Sequence, residues 1–275
     1  MKNMKIRIGA VVLFTTAFLL QSLLTEAQTK KHKEHKGEFY FSWGYNKEWY
    51  THSNVHVMQP SLGNDYKFEH ISGHDHIGWD RGLLSIPLSI PQYNYRIGFY
   101  NKKKNFGIEI NFDHTKFIFA DQNAHIVGTL NYRKVDTTVA FNEANGFFYY
   151  LNNGANFLLF NAVKRWHISE SNSKNFKLDL LGKAGVGPVV PHVENMLFNH
   201  KNAPHFQVGG WNAGAEAALR ATFCKTFYLE FCNKIDYAMY SGLKLDPGTA
   251  RQAFGTYELI LNLGFVFPSG KVINK

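Results

Sequence analysis

Residues 256–267 read TYELILNLGFVF. Tyr257, Leu259, Leu261, Leu263, Phe265 and Phe267 share one parity, while Thr256, Glu258, Ile260, Asn262, Gly264 and Val266 share the other. A period of two predicts a β-strand with one apolar and one mostly polar face. The pattern recurs in EFYFSWGYN (38–46), QYNYRIGFY (92–100), NFGIEINFD (105–113) and NFKLDLLGKAGVG (175–187). It returns in WNAGAEAALRATF (211–223), after a Gly209-Gly210 bulge, and in TFYLEFCNKIDYAM (226–239). ANFLLFNAVKRWHI (155–168) fits with Leu158, Phe160, Ala162, Trp166 and Ile168 on the apolar side, which strands Lys164 among them. VHVMQ (55–59) and DYKFEHI (65–71) are shorter strand candidates. The expected fold class is all-β.

The links between these segments fall into two kinds. PSLGN (60–64), NKKKN (101–105), SESNSKN (169–175) and CKT (224–226) read as tight turns, whereas 72–91, 120–154, 188–205 and 241–253 are long. Short and long links alternate, as they do in outer-membrane barrels with short periplasmic turns and longer external loops. The expectation is a closed antiparallel transmembrane β-barrel of roughly eight to twelve strands, with about ten favoured. Merging 55–71 into one bulged strand, or folding 124–142 into a hairpin, changes that count.

Composition decides which face meets which solvent. The chain has 24 Phe, 14 Tyr and 5 Trp, yet its mean hydropathy is −0.27. Rings displayed on the outside of a barrel, with alternation keeping the average low, account for both values. The polar parity gathers Glu38, Lys67, Glu69, Arg96, Glu109, Asp113, Lys177, Asp179, Lys183, Glu216, Arg220, Glu230, Lys234, Asp236 and Glu258, with both signs represented. On a soluble sandwich these would be an ordinary solvated surface. Inside a narrow barrel they must pair across the lumen, because a buried unpaired ion is costly. A soluble periplasmic ligand-binding barrel is the alternative and predicts extraction without detergent.

The chain opens MKNMKIRIGAVVLFTTAFLLQSLLTEAQ, with Lys2, Lys5 and Arg7 ahead of an apolar run and small residues before Gln28. That is the layout of a cleaved secretory signal peptide over residues 1–27. The remaining expected divisions are a basic tail (28–37), the barrel (38–267) and a short C-terminal tail (268–275). The formal charge of +9 sits partly in the signal peptide and partly in TKKHKEHKGE (29–38), and export disfavours a nucleic-acid partner. Cys224 and Cys232 are too far apart along a turn and strand to bridge. No phosphate-cradling glycine loop or Cys-x-x-Cys pattern is present, so no cofactor is expected.

IPQYNYRIGFY (90–100), INFDHTKF (110–117) and HFQVGGWNAGAEAALR (205–220) resemble a family of secreted bacterial proteins. That uncharacterised family is predicted to consist of outer-membrane β-barrels. The resemblance spans most of residues 38–267 and implies outer-membrane residence in contact with lipid and lipopolysaccharide. Its motifs are barrel-wall motifs and carry no known chemistry.

The expected role is therefore a non-enzymatic outer-membrane barrel with a structural, interaction or limited transport function. Loops 120–154 and 188–205 are the expected partner surfaces. The alternative is a lipid A or phospholipid hydrolase or acyltransferase at the external rim. NKEWYTHSN (46–54) and DHTK (113–116) supply its candidates, His52, Ser53, Asp113 and His114, as general base, hydroxyl and orienting acid. His167-x-Ser169 adjoins a short turn at the opposite end and is disfavoured. HISGHDH with Asp80 offers His70, His74, His76 and Asp80 as a divalent-metal set.

Overall fold

The computed structural model describes residues 33–75, 92–119, 121–151 and 154–274. The expected signal peptide lies outside them, as do His76 and Asp80. In chain order the strands are β1 (Lys33–Tyr50), β2 (Ser53–Gln59), β3 (Asn64–Ile71), β4 (Tyr93–Asn101), β5 (Phe106–Asp113), β6 (Phe117–Phe119), β7 (Gln122–Leu130) and β8 (Arg133–Phe141). They continue with β9 (Phe148–Leu151), β10 (Phe157–Glu170), β11 (Phe176–Pro188), β12 (His192–Leu197), β13 (His200–Lys201), β14 (His205–Phe206), β15 (Gly210–Phe223), β16 (Phe227–Lys244) and β17 (Thr249–Asn274). Strand thus extends into both segments read as tails, from Lys33 and up to Asn274.

All pairings are antiparallel. β1, β4, β5, β10, β11, β15, β16 and β17 follow one another, and β17 pairs back onto β1 from Lys33↔Asn274 to Tyr50↔Thr256. The ring therefore holds eight strands, where the sequence favoured ten. The difference arises at β2 and β3. β2 continues β1 along the same edge of β17, from Asn54↔Ala253 to Met58↔Thr249, after a break at Thr51–His52. That break is tied down by Thr51 N donating to the Gly255 carbonyl (2.9 Å) and Gly255 N donating to Thr51 Oγ1 (3.0 Å). PSLGN then turns β2 into β3 at the far side of the molecule from NKKKN, SESNSKN and CKT, and β3, β7 and β8 extend the sheet beyond the ring.

The wall has the expected orientation. Trp43, Tyr95 and Phe265 face out, 38–45% exposed, while Glu230 and Lys183 are at most 3% exposed. The lumen is ionic. Lys183 Nζ lies 3.0 Å from Glu109 and 2.9 Å from both Glu216 and Glu230. Arg96 reaches Glu216 (3.0 Å) and Glu109 (3.5 Å), and Arg220 Nε donates to Glu230 (2.5 Å). The Arg220 guanidinium also lies between the Tyr40 and Tyr228 rings, 4.6 and 4.0 Å from their centroids. Gly98 and Gly264 make room for those two rings: a Cβ at either would lie 2.3 Å from a tyrosine Cζ. Toward the short-turn end, Arg165 pairs with Glu38 (2.5 Å), and Asp179 pairs with Lys177 (2.8 Å) and His167 (3.2 Å).

Above this ionic column the interior turns apolar. Phe157, Tyr240, Ala238, Ala250 and Phe254 on the ring strands join Val55, Val57, Phe68, Phe117, Phe119, Phe141, Tyr149 and Val193 in one buried cluster. Phe119 stacks on Phe141 at 3.7 Å, Phe68 meets both edge-on, and Phe254 stacks on Phe117 at 4.6 Å. β6, β9, β12 and β13 form a second small sheet over this core, with β14 paired to β12. The segments 120–154 and 188–205, read as loops, are thus largely strands of a cap, and 122–141 is the hairpin β7–β8.

Lys183→Met should leave three buried carboxylates without their shared cation and cost roughly 3–5 kcal/mol. In urea unfolding from detergent micelles, the midpoint should fall accordingly, while exposed Lys134→Met should leave it in place. Equal midpoints for the two variants would refute the shared-cation account.

Candidate functional site

The two interiors meet at a seam where four segments converge: the end of β1, the residues around Asp75, Gln92 before β4, and the stretch 113–117 after β5. Alternation on β1 turns Asn46, Glu48 and Tyr50 inward. Glu48 accepts from Asn46 Nδ2 (2.6 Å), Gln92 Nε2 (2.9 Å) and Thr115 Oγ1 (3.0 Å). The Tyr50 hydroxyl touches Glu48, Asp75 and the Lys116 carbonyl, and Glu48 N donates to Asp75 Oδ2 (3.0 Å). Lys47 Nζ reaches the same Asp75 oxygen at 3.0 Å. Below, Lys234 joins Asp113 (2.5 Å) and Glu258 (2.9 Å), with its ammonium 5.2 Å from the Phe157 ring centroid. The Tyr50 ring sits edge-on to Phe117 and Phe254. Tyr50 is thus the hinge between media: its ring belongs to the aromatic core and its hydroxyl to the polar network.

The four catalytic candidates occupy this region with separate engagements. His52 is exposed at the β1–β2 break, whereas the next residue, Ser53, is buried and donates its hydroxyl to the Ala253 carbonyl (2.8 Å). Asp113 is buried against Lys234. His114 stacks on Tyr93 with centroids 4.5 Å apart, and its Nδ1 faces Asn156 Oδ1 at 2.8 Å. The aspartate thus serves a lysine, and the histidine an amide.

Of the metal candidates, His70 is exposed at the end of β3, where its backbone N donates to Asn54 Oδ1 (2.9 Å) and its φ is 52°. His74 Nδ1 approaches the Asp75 carbonyl at 2.7 Å. Among the described residues, Glu216, Glu230 and Cys232 are close enough together to hold an ion. Lys183 Nζ, 2.9 Å from both glutamates, already fills that centre. His167 pairs with Asp179 near the short turns, and Cys224 and Cys232 are free thiols.

Sequence reasoning missed Tyr50, Asp75 and Gln92 as a unit. Each sits at the end of a strand or in a link, and their meeting depends on the cap folding back. A second feature of the cap is His125 on β7, held between Asp136 (2.8 Å) and Glu69 (3.4 Å) on the exposed face.

The two histidines should titrate in opposite directions. Burial pushes the His114 imidazole below its ordinary 6.5; the Asn156 hydrogen bond opposes that shift and Lys116 adds to it. The hydrogen bond to Asp136, helped by Glu69, lifts His125 above 6.5. For His114, the neutral form is favoured on folding, so its contribution holds above 6.5 and is lost as pH falls toward its depressed folded pKa. For His125, the contribution holds below 6.5 and is lost as pH rises through its elevated folded pKa. An NMR titration should resolve two midpoints on either side of 6.5; a common midpoint would refute both environments.

No family model matches the chain, and no curated protein matches it. Solved structures share a broad likeness. The outer membrane protein OprG of Pseudomonas aeruginosa is 9% identical over 86% of this chain and 98% of its own, with a TM-score of 0.37. The outer membrane protease OmpT of Escherichia coli is 10% identical over 87% and 99%, at 0.36. Ail, the attachment invasion locus protein of Yersinia pestis, solved with the heparin analogue sucrose octasulfate, is 14% identical over 84% and 99%, at 0.31. Identities and scores this low carry neither activity nor partner to this chain.

Proposed function

We propose that this protein is an integral outer-membrane β-barrel that presents a folded external cap for recognition, with the barrel as a non-enzymatic, non-conducting support. The carrying observation is the inversion across the ring wall: Phe, Trp, Leu and Ile are exposed outside, and paired ions are buried inside. Water on the outside would leave that apolar band uncovered, whereas lipid covers it. The strands meet the bilayer's demand that backbone groups be paired, because each ring strand has a neighbour on both sides.

Two stacked fillings argue for support over passage. A barrel this narrow is filled by its own side chains, and here an ionic column lies under an aromatic core. The short-turn end then faces the periplasm and the cap faces outward, following the usual asymmetry of such barrels. Residues 1–27 act as the export signal in this reading, and lipid and lipopolysaccharide surround the wall.

Membrane fractions should retain the protein through buffer and high-salt washes and release it to detergent, and purified protein in planar bilayers should give no steady conductance. Release by buffer alone would overturn membrane residence, and a stable open level would overturn the filled lumen. Lipid A mass profiles from cells with and without the gene should match. An acyl chain lost only with the protein present, and restored by His52→Ala or His114→Ala, would establish the enzyme instead.

A further inference from the structure

The ring wall has a step. β5 stops pairing with β10 at Gly107↔Val163, whereas the β10–β11 hairpin continues to Glu170↔Lys177. Beyond the step, side chains complete the edge of β10. Arg165 N donates to the Tyr100 hydroxyl (3.1 Å), and with the Asn105 amide turned to the orientation that satisfies both its ends, its nitrogen donates to the Arg165 carbonyl (3.0 Å) and its oxygen accepts from Lys164 Nζ (3.2 Å). A shallow groove of about 260 Å³ lies here, lined by Phe106, Ala162, Lys164, Trp166, Gly182 and Ala184 together with Val163, Lys183 and Glu216 of the wall behind them. The Trp166 indole lies across Gly182, where a Cβ would come within 3.0 Å of the ring.

Lys164 is the exception in this wall. It is exposed on the outward parity of β10, where its neighbours are Ala162 and Trp166. Lys103 and Lys104 stand exposed in the adjoining turn, and their ammonium groups pair with no carboxylate among the described residues. Apolar surface thus adjoins Lys164, and Asn105 links Lys164 to the turn that carries Lys103 and Lys104. A free phosphate would use the lysines and leave the groove idle; an uncharged lipid would use the groove and leave the lysines idle. A molecule with both an anionic phosphate and an acyl chain uses the whole feature.

We propose that this step binds one anionic glycerophospholipid from the leaflet at the short-turn end. Its phosphate lies on Lys164 and the turn lysines, and one acyl chain lies along Phe106, Trp166 and Ala184. The lysine stem runs along apolar surface while its head stays at the interface, and Asn105 aims the ammonium toward the turn. The proposal rests on the membrane-spanning reading.

The test is native mass spectrometry of protein released from vesicles that contain equal amounts of phosphatidylglycerol and phosphatidylcholine. Wild type should retain one phosphatidylglycerol in preference to phosphatidylcholine. Lys164→Gln should reduce that preference about fivefold, the effect of one basic group at an anionic surface. Ala184→Phe, which fills the groove and spares the cations, should instead abolish retention, and water-soluble glycerophosphoglycerol should not displace the bound lipid. Equal retention of the two lipids, an unchanged Lys164→Gln profile, or displacement by the soluble headgroup would each overturn the site. Failure to enter vesicles at all would overturn the membrane-spanning reading itself, a distinct result.

Discussion

The constraint on which the structure depends is that the lumen of an eight-strand ring has no room for bulk water, so every charge pointed into it needs a partner on another strand. Lys183 shows the solution at its most concentrated. Its ammonium on β11 answers Glu109 from β5, Glu216 from β15 and Glu230 from β16. One cation thus ties together four strands, and the second ion on Glu230, Arg220, is held flat by two tyrosines that stand over glycines. Such a network can cost as much in desolvation as it returns in attraction. Its effect lies in register: a strand slipped by one residue would turn its ions out to lipid and its rings into the lumen.

The same strands change their inner chemistry partway along. On β16 the inward series runs from Glu230 and Lys234 through Asp236 to Ala238 and Tyr240, and on β17 it runs from Glu258 back through Thr256 to Phe254 and Ala250. Inward ions are useful only as far as the ring supplies opposing ions. Past that level the facing surface is the cap, whose β6, β7, β8 and β9 present Phe, Tyr and Ile, and apolar burial takes over. Outside the bilayer, a sheet edge can also be left to water. β8 accordingly ends the sheet with a mostly exposed burial pattern, a condition no ring strand tolerates.

Much of the wall was legible in the sequence because a period of two survives any loop arrangement. Phe39, Ile97, Ile108 and Phe231 declared their face by alternation alone, and the charge balance of the other parity declared that it must be internally paired. The cap was illegible for the same reason. Val55, Val57, Tyr66 and Phe68 alternate just as wall residues do, and alternation does not say whether the opposing surface is lipid or another buried ring. The ring of eight lies at the low end of the expected range because β1 and β2 share one edge of β17, where a two-residue break reads as a loop in sequence yet acts as a bulge in space. The catalytic candidates did not declare their partners: Ser53 meets Ala253 and His114 meets Asn156 only once β17 and the segment before β10 arrive. These arrivals are long-range events with no local signal. Lys164, which breaks the pattern of its strand, is visible in the sequence as an exception and lies where β10 and β11 outrun β5.

The two interiors also bear on what the barrel can transmit. A disturbance that loosened the ionic column, such as a change in protonation, would leave the aromatic core above it intact, because that core is held by apolar contact among rings on six or more strands. One that loosened the aromatic core would leave the ion network closed below. A path through the molecule therefore needs two unrelated failures at once, whereas rearrangement at the outer surface of the cap needs neither. The exposed face of β7, β8 and the β12–β14 segment can therefore change while the ring stays fixed, the property that the proposed pedestal reading requires.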